Sequence, residues 1–122
     1  MNRSGTAVKE VKQHWELNLE DLLVVVDDVD LPLGRLRLRP AGGDGCHRGL
    51  ESVIYQLGST HFPRLRVGIA ASGTRRPAEN YVLKPFKKQE QILANEMVQM
   101  AADAAEYILD HGLEKAMNTF NR

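Results

Sequence analysis

The chain has 122 residues, with 16 basic and 16 acidic side chains in balance and a single cysteine. Such a length supports one domain with a small core, and zero net charge gives no global attraction to nucleic acid or acidic ligands. One cysteine excludes a disulfide framework, and no apolar run approaches the length of a membrane span.

The opening "MNRSGTAVKE" lacks the apolar stretch of a signal peptide, so a cytoplasmic location is expected. Ala7, Val8, Val11 and Trp15 recur at helical spacing and predict a helix over 4–16, with Asn2 or Ser4 as its N-cap. Leu22 to Val26 reads as a strand covered on both faces, because it shows no polar alternation. It empties into Asp27, Asp28 and Asp30, carboxylates that are either turn formers or part of a site. Leu31-Pro32-Leu33-Gly34 predicts a turn. "RLRLR" then alternates strictly, with Leu36 and Leu38 on one face and Arg35, Arg37 and Arg39 on the other.

"PAGGDGCHRG" is a glycine-rich loop leading into a helix that carries Leu50, Val53, Ile54 and Leu57. "RLRVGIA" predicts a strand with Leu65, Val67 and Ile69 on one face, and "ASGTRRPAENYVLKPF" a loop. The longest helix is predicted over 88–109, with Leu93, Met97, Met100, Ala101, Ala104 and Ile108 as its apolar stripe. Gly112 ends it, and a last helix holds Leu113, Ala116, Met117 and Phe120. The fold class is α/β, a mixed twisted sheet flanked by helices, and 1–122 reads as one partial domain. Three strands are few for a sheet whose strands look buried on both faces, so the chain reads as part of a larger sheet.

Two features could carry chemistry. From Arg35 to Arg76 eight arginines face only two acids, Asp44 and Glu51, which suits phosphate although a solvated surface has the same composition. The loop "GGDGCHRG" has no G-K-[ST], and Arg48 occupies the third glycine of a dinucleotide fingerprint. What survives is backbone N–H groups at a helix entry beside Arg48, either an anion site or an ordinary tight helix start. Cys46 and His47 are chain neighbours with no third residue to orient them, so they do not form a thiol–imidazole pair. A metal site from Asp27, Asp30 and His47 is discounted too, since "DDVDLPLG" lacks the glycine and distal glutamate of a calcium loop.

Taken together, "LLVVVDDVDLPLGRLRLRPAGGDGCHRGLESVIYQLG" resembles bacterial peptidyl-tRNA hydrolases, which have D-[DE]-x-D-L-P-x-G after a strand and G-G-H-N-G-L opening a helix. "FPRLRVGIA", "YVLKPF", "GLEKAMNTFN" and the opening "MNRSG" resemble further family segments in order. The resemblance implies cleavage of the ester between a peptide and the 3′-ribose of tRNA, by a histidine general base held by an aspartate, without metal or organic cofactor. By that resemblance Asp27 is the orienting aspartate, Asp30 fixes the following turn and Asp28 faces solvent. Asn2 is a substrate-binding residue, and His47 is a loop histidine more structural than catalytic. Arg48 stands where the family has an asparagine that contacts the tRNA end, Cys46 replaces a glycine, and Ala70 stands where a second glycine follows. Arg37 and Arg39, with Arg35, Arg48, Lys84, Lys87 and Lys88, are expected to meet tRNA phosphates.

The family's opening motifs G-L-G-N-P-G and R-H-N-x-G, the latter with the catalytic histidine, do not occur in this sequence. The chain is therefore expected to be a C-terminal portion, lacking the first strands and inactive alone; its Met1-Asn2 coincides with an internal pair of the family. The expected partner is peptidyl-tRNA, with no membrane, no obligate protein partner, and a monomer at full length. The alternative reading is a non-catalytic RNA-binding relative of the same fold.

Overall fold

The computed structural model describes residues 3–70 and 88–121, and of Gln89 the backbone alone. Asn2, Lys84, Lys87 and the expected loop over 71–86 lie outside the described residues. In chain order the elements are α1 (Ser4–His14), a 3₁₀ turn (Leu19–Asp21), β1 (Val24–Pro32), β2 (Leu36–Arg39), α2 (Arg48–Leu57), β3 (Arg64–Ala70), α3 (Lys88–His111) and α4 (Leu113–Phe120). The sequence order of helices and strands holds, and the strands form one sheet in the order β1-β3-β2.

The sheet is mixed. Val24 N–H donates to the Pro63 carbonyl at 3.1 Å and Leu33 N–H to that of Ala70 at 3.0 Å, so β1 and β3 run parallel. Gly68 N–H donates to the Arg35 carbonyl and Gly42 N–H to that of Thr60, so β2 runs against β3. Along the parallel pair β1 advances from residue 24 to 33 while β3 advances from 63 to 70, so β1 carries surplus residues, as a bulge does.

Several expectations are corrected here. The first strand does not stop at Val26; it continues through all three aspartates to Pro32, because a neighbouring backbone satisfies its polar groups and outweighs the turn preference of Asp. The turn consequently falls later, with Arg35 N–H donating to the Pro32 carbonyl at 3.0 Å. Helix α1 ends at His14, and its N-cap is Arg3, which makes no side-chain capping bond. On α3 the buried positions are Ala94, Met97 and Ala104, whereas Leu93 and Met100 lie at the exposed margin of the stripe.

The chain divides into two compact units. The first comprises Met1–Val26 and Arg39–Arg64. Its core is Val26, Leu50, Val53 and Phe62, with Val8, Leu19, Val24, Ile54 and Leu57 packed around it. Each fully buried Leu, Val or Phe there contributes about 1.5–3 kcal/mol. Helices α1 and α2 meet at Gly5, whose N–H donates to Ser52 Oγ at 3.0 Å; a Cβ at that position would collide with the Ser52 carbonyl.

Arg64 organises the rest of this unit. The strand pattern places it among the surface arginines, but it is fully buried. Its Nε donates to the Phe62 carbonyl at 3.3 Å, one terminal nitrogen to Gly43 at 3.0 Å and the other to Thr60 at 2.9 Å, while the guanidinium lies 4.3 Å from the Phe62 ring centre. One planar cation thus ties the glycine-rich loop and the 59–62 segment to the start of β3. Carbonyl dipoles and the ring face offset part of its desolvation.

The second unit comprises Asp27–Leu38 and Leu65–Arg122. Leu36, Leu38 and Leu65 are fully buried, so the alternation read in "RLRLR" holds. Strand β3 is the middle strand, and at Gly68 a Cβ would run into the Pro32 and Leu31 carbonyls, so only glycine lets β1 approach there. The outward polar groups of β2 at Leu38 are met from the far end of the chain. Leu38 N–H donates to Asn121 Oδ1 at 2.7 Å, and Asn121 Nδ2 donates to the Leu38 carbonyl at 2.9 Å. The side-chain amide thereby meets both backbone groups of Leu38 as a neighbouring strand would.

Replacing Arg64 by lysine removes the planar fork that spans three carbonyls and leaves a fully buried ammonium with fewer acceptors in reach. The expected cost is about 2–4 kcal/mol, measured by urea unfolding, against less than about 1 kcal/mol for Arg66→Lys at a pair 3.7 Å apart.

Candidate functional site

In the first unit the glycine-rich loop is shaped by Asp44 at its centre. Asp44 Oδ1 accepts from Cys46 N–H at 2.9 Å, and its carbonyl accepts from His47 N–H at 2.9 Å. That tight wrap forces Cys46 to φ +62°, the left-handed region, which explains why a glycine at this position suits the fold. The next residue, His47, caps α2: its Nδ1 accepts from Leu50 N–H at 3.0 Å. A ring nitrogen used as a cap acceptor cannot take a proton without releasing the helix start, so His47 here has a structural task. Arg48 is the first helical residue, exposed, and Arg39 is exposed at the end of β2.

The second unit holds the carboxylates. Asp27 is half-buried on β1. Asp28 is not the solvent-facing acid expected: it is partly buried, lies 3.7 Å from Arg66 of β3, and accepts from Asp30 N–H at 2.9 Å. Asp30 is exposed, so the local backbone is fixed by the Asp28 carboxylate and not by that of Asp30. This side-chain bond lies within the stretch where β1 outruns β3. Arg37 is half-buried on β2.

Of the residues marked in the sequence, Arg39, His47 and Arg48 thus belong to the first unit and Asp27 and Arg37 to the second, while Asn2 lies outside the described residues. The other histidines have local settings. His14 lies edge-on to Trp15, His111 stacks on Tyr107 at 4.1 Å, and His61 is exposed. Among the described residues no three His, Cys, Asp or Glu side chains gather to hold a metal ion, and no helix is long and apolar enough to cross a membrane. Arg64 is the residue that sequence reasoning misplaced; its only signal was its position behind Phe62-Pro63, where a strand begins.

A family profile described as peptidyl-tRNA hydrolase matches residues 1–122. The chain belongs to the peptidyl-tRNA hydrolase family. Among named relatives, the peptidyl-tRNA hydrolase of Persephonella marina is 41% identical over 122 residues, which are 100% of this chain and 65% of that protein. That of Desulforudis audaxviator is 48% identical over 121 residues, 99% of this chain and 60% of that protein. The crystal structure of peptidyl-tRNA hydrolase from Acinetobacter baumannii superposes with a TM-score of 0.86 at 30% identity, covering 99% of this chain and 61% of that one. A peptidyl-tRNA hydrolase crystallised with N-propanol gives 0.87 at 29% identity. The chain therefore spans about 60–65% of the length of these relatives.

Restoring glycine at the strained loop position relieves a left-handed non-glycine residue. Cys46→Gly is expected to raise stability by about 1 kcal/mol, seen as a higher urea midpoint with unchanged slope. Cys46→Val should lower the midpoint instead, because a β-branched residue tolerates that φ least.

Proposed function

We propose that the protein to which this chain belongs hydrolyses the ester joining a peptide to the 3′-terminal ribose of tRNA. The match of the whole chain to the peptidyl-tRNA hydrolase family carries that reading. Asp27 is assigned as the carboxylate that orients a histidine general base and stabilises the imidazolium formed as water attacks. A half-buried position on a strand suits that task, since a fixed carboxylate in partly desolvated surroundings acts strongly on a developing charge. The histidine itself is assigned to residues outside this chain, as none of the four here stands in the family's catalytic motif. Asn2 and Arg48 are assigned to the tRNA end, and Arg37 and Arg39 to its phosphates. Metal and organic cofactors have no part in this scheme. A monomer in the cytoplasm, without an obligate protein partner, completes it.

A second reading rests on Arg48 and Cys46. An arginine in place of the family's asparagine keeps donors but loses the amide acceptor, and a strained cysteine stands beside it. Those changes fit a relative that holds RNA without cleaving it.

In a version that carries the histidine, Asp27→Asn should leave melting temperature and tRNA affinity nearly unchanged. The single-turnover rate of peptide release should fall on the order of a hundredfold or more. An unchanged rate would return Asp27 to a structural role.

The chain by itself should release no peptide from peptidyl-tRNA above background. General-base assistance is worth on the order of a hundred- to ten-thousand-fold, and a carboxylate with an ordinary pKa of about 4 is a poor base for water. The comparison is with the same chain joined to a segment carrying the family's two opening motifs. If the joined version is also inert while still binding tRNA, the RNA-binding reading stands and the hydrolase reading falls.

A further inference from the structure

Strand β2 carries Arg37 and is only 4 residues long, with β3 as its one strand neighbour among the described residues. Several contacts hold it. Leu36 and Leu38 turn fully buried side chains inward, which puts Arg37 on the opposite face, half-buried. Gly68 N–H donates to the Arg35 carbonyl at 2.9 Å, so the odd-numbered residues turn their backbone groups towards β3. Leu38 turns its own the other way. There Asn121 Oδ1 accepts from the Leu38 N–H at 2.7 Å, and Asn121 Nδ2 donates to the Leu38 carbonyl at 2.9 Å.

Helix α4 places Asn121 for this grip. Asn121 is the C-cap residue of that helix, and its backbone N–H donates to the Met117 carbonyl at 3.1 Å. The helix is seated in turn by Ala116, which is fully buried, and by Phe120, whose ring stands edge-on to Tyr107 of α3 at 5.7 Å. A short side chain on a seated helix end therefore grips the residue next to Arg37. Burial of Leu36 and Leu38 secures the strand against the core, but it does not fix the backbone within the plane of the sheet. Two bonds of opposite sense to one residue do. An amide is the side chain of this size that accepts and donates at once; Asp only accepts, and Leu has the shape with neither group. An arginine that meets a phosphate gains from such a grip, because a fork fixed in advance loses less freedom on binding.

We propose that Asn121 is a positioning residue for tRNA binding, whose amide locks β2 at Leu38 and thereby pre-organises Arg37 for its phosphate. The inference rests on the reading of Arg37 as a tRNA phosphate contact, but not on Asp27 or on ester cleavage. It gives the end of α4 a task in recognition, exerted on a strand 83 residues away in the chain.

The test uses the full chain and fluorescein-labelled deacylated tRNA, read by anisotropy well below the melting temperature of every variant. Asn121→Ala and the near-isosteric Asn121→Leu should each weaken binding about three- to tenfold, the range that ordering one long side chain costs. Arg37→Gln should also weaken it, and should lower the slope of log affinity against log salt by about 0.7–0.9, one phosphate contact. The double variant Arg37→Gln with Asn121→Leu should bind no more weakly than Arg37→Gln alone, because Asn121 acts through that arginine. Hydrogen exchange at the Leu38 amide should quicken about tenfold or more in Asn121→Leu. Unchanged affinity in Asn121→Leu beside a lowered melting temperature marks a merely structural residue and overturns the proposal. Additive losses in the double variant overturn it too, since the two residues then act separately. If Arg37→Gln changes neither affinity nor slope, the phosphate reading of Arg37 falls and the proposal falls with it. In the version that carries the histidine, Asn121→Leu should raise KM and leave kcat unchanged; a fall in kcat alone would overturn the proposal. Coupled binding losses without cleavage by the wild type leave Asn121 in its role and remove the hydrolase reading.

Discussion

A single buried cation sets the geometry of the glycine-rich loop. Arg64 donates to three backbone carbonyls from two separate loop segments, and the Thr60 carbonyl also accepts from Gly42 N–H, so the two segments are tied twice. The guanidinium is suited to this because its donors are fixed in one plane, so ordering one side chain places three peptide groups together. The cost of burying its charge is high, which means that the loop cannot move away from Arg64 without leaving a buried cation short of acceptors. The same loop carries the wrap around Asp44, the left-handed Cys46 and the His47 cap.

The acidic run on β1 shows the same principle of local accounting with opposite charge. Asp is a poor strand residue, yet three occur in one strand. Asp28 makes this tolerable by bonding the backbone two residues on and by lying beside Arg66. Asp28 thus supports the backbone beside Asp27, which lies within the strand and not in a turn.

Close approach and edge protection complete the picture within each unit. Gly5 lets α1 reach the backbone of α2, and Gly68 lets β1 reach β3; in both cases a Cβ would strike a carbonyl. Asn121 meets the backbone of β2 at Leu38 with one donor and one acceptor, as a strand would. Each of these three residues is fixed by what a neighbour presents to it.

Periodicity in the sequence determined the kind and order of the elements, because the 3.6 and 2.0 repeats are properties of the chain itself and survive any packing. It also determined the alternation of Leu36 and Leu38 with the arginines, and the string of motifs on which the family resemblance rests. Tertiary structure alone decided where β1 ends, since the choice between turn and strand for Asp27 to Asp30 depends on a neighbour distant in sequence. It likewise decided that Arg64 is interior while Arg39 is exposed: both are arginines in strand-like stretches, and only the arrangement of loop carbonyls separates them. Asn121 gave no signal, for a side-chain amide standing in for a strand has no pattern in its own neighbourhood. The partners of a polar group are a matter of three-dimensional arrangement, and a one-dimensional repeat cannot encode them.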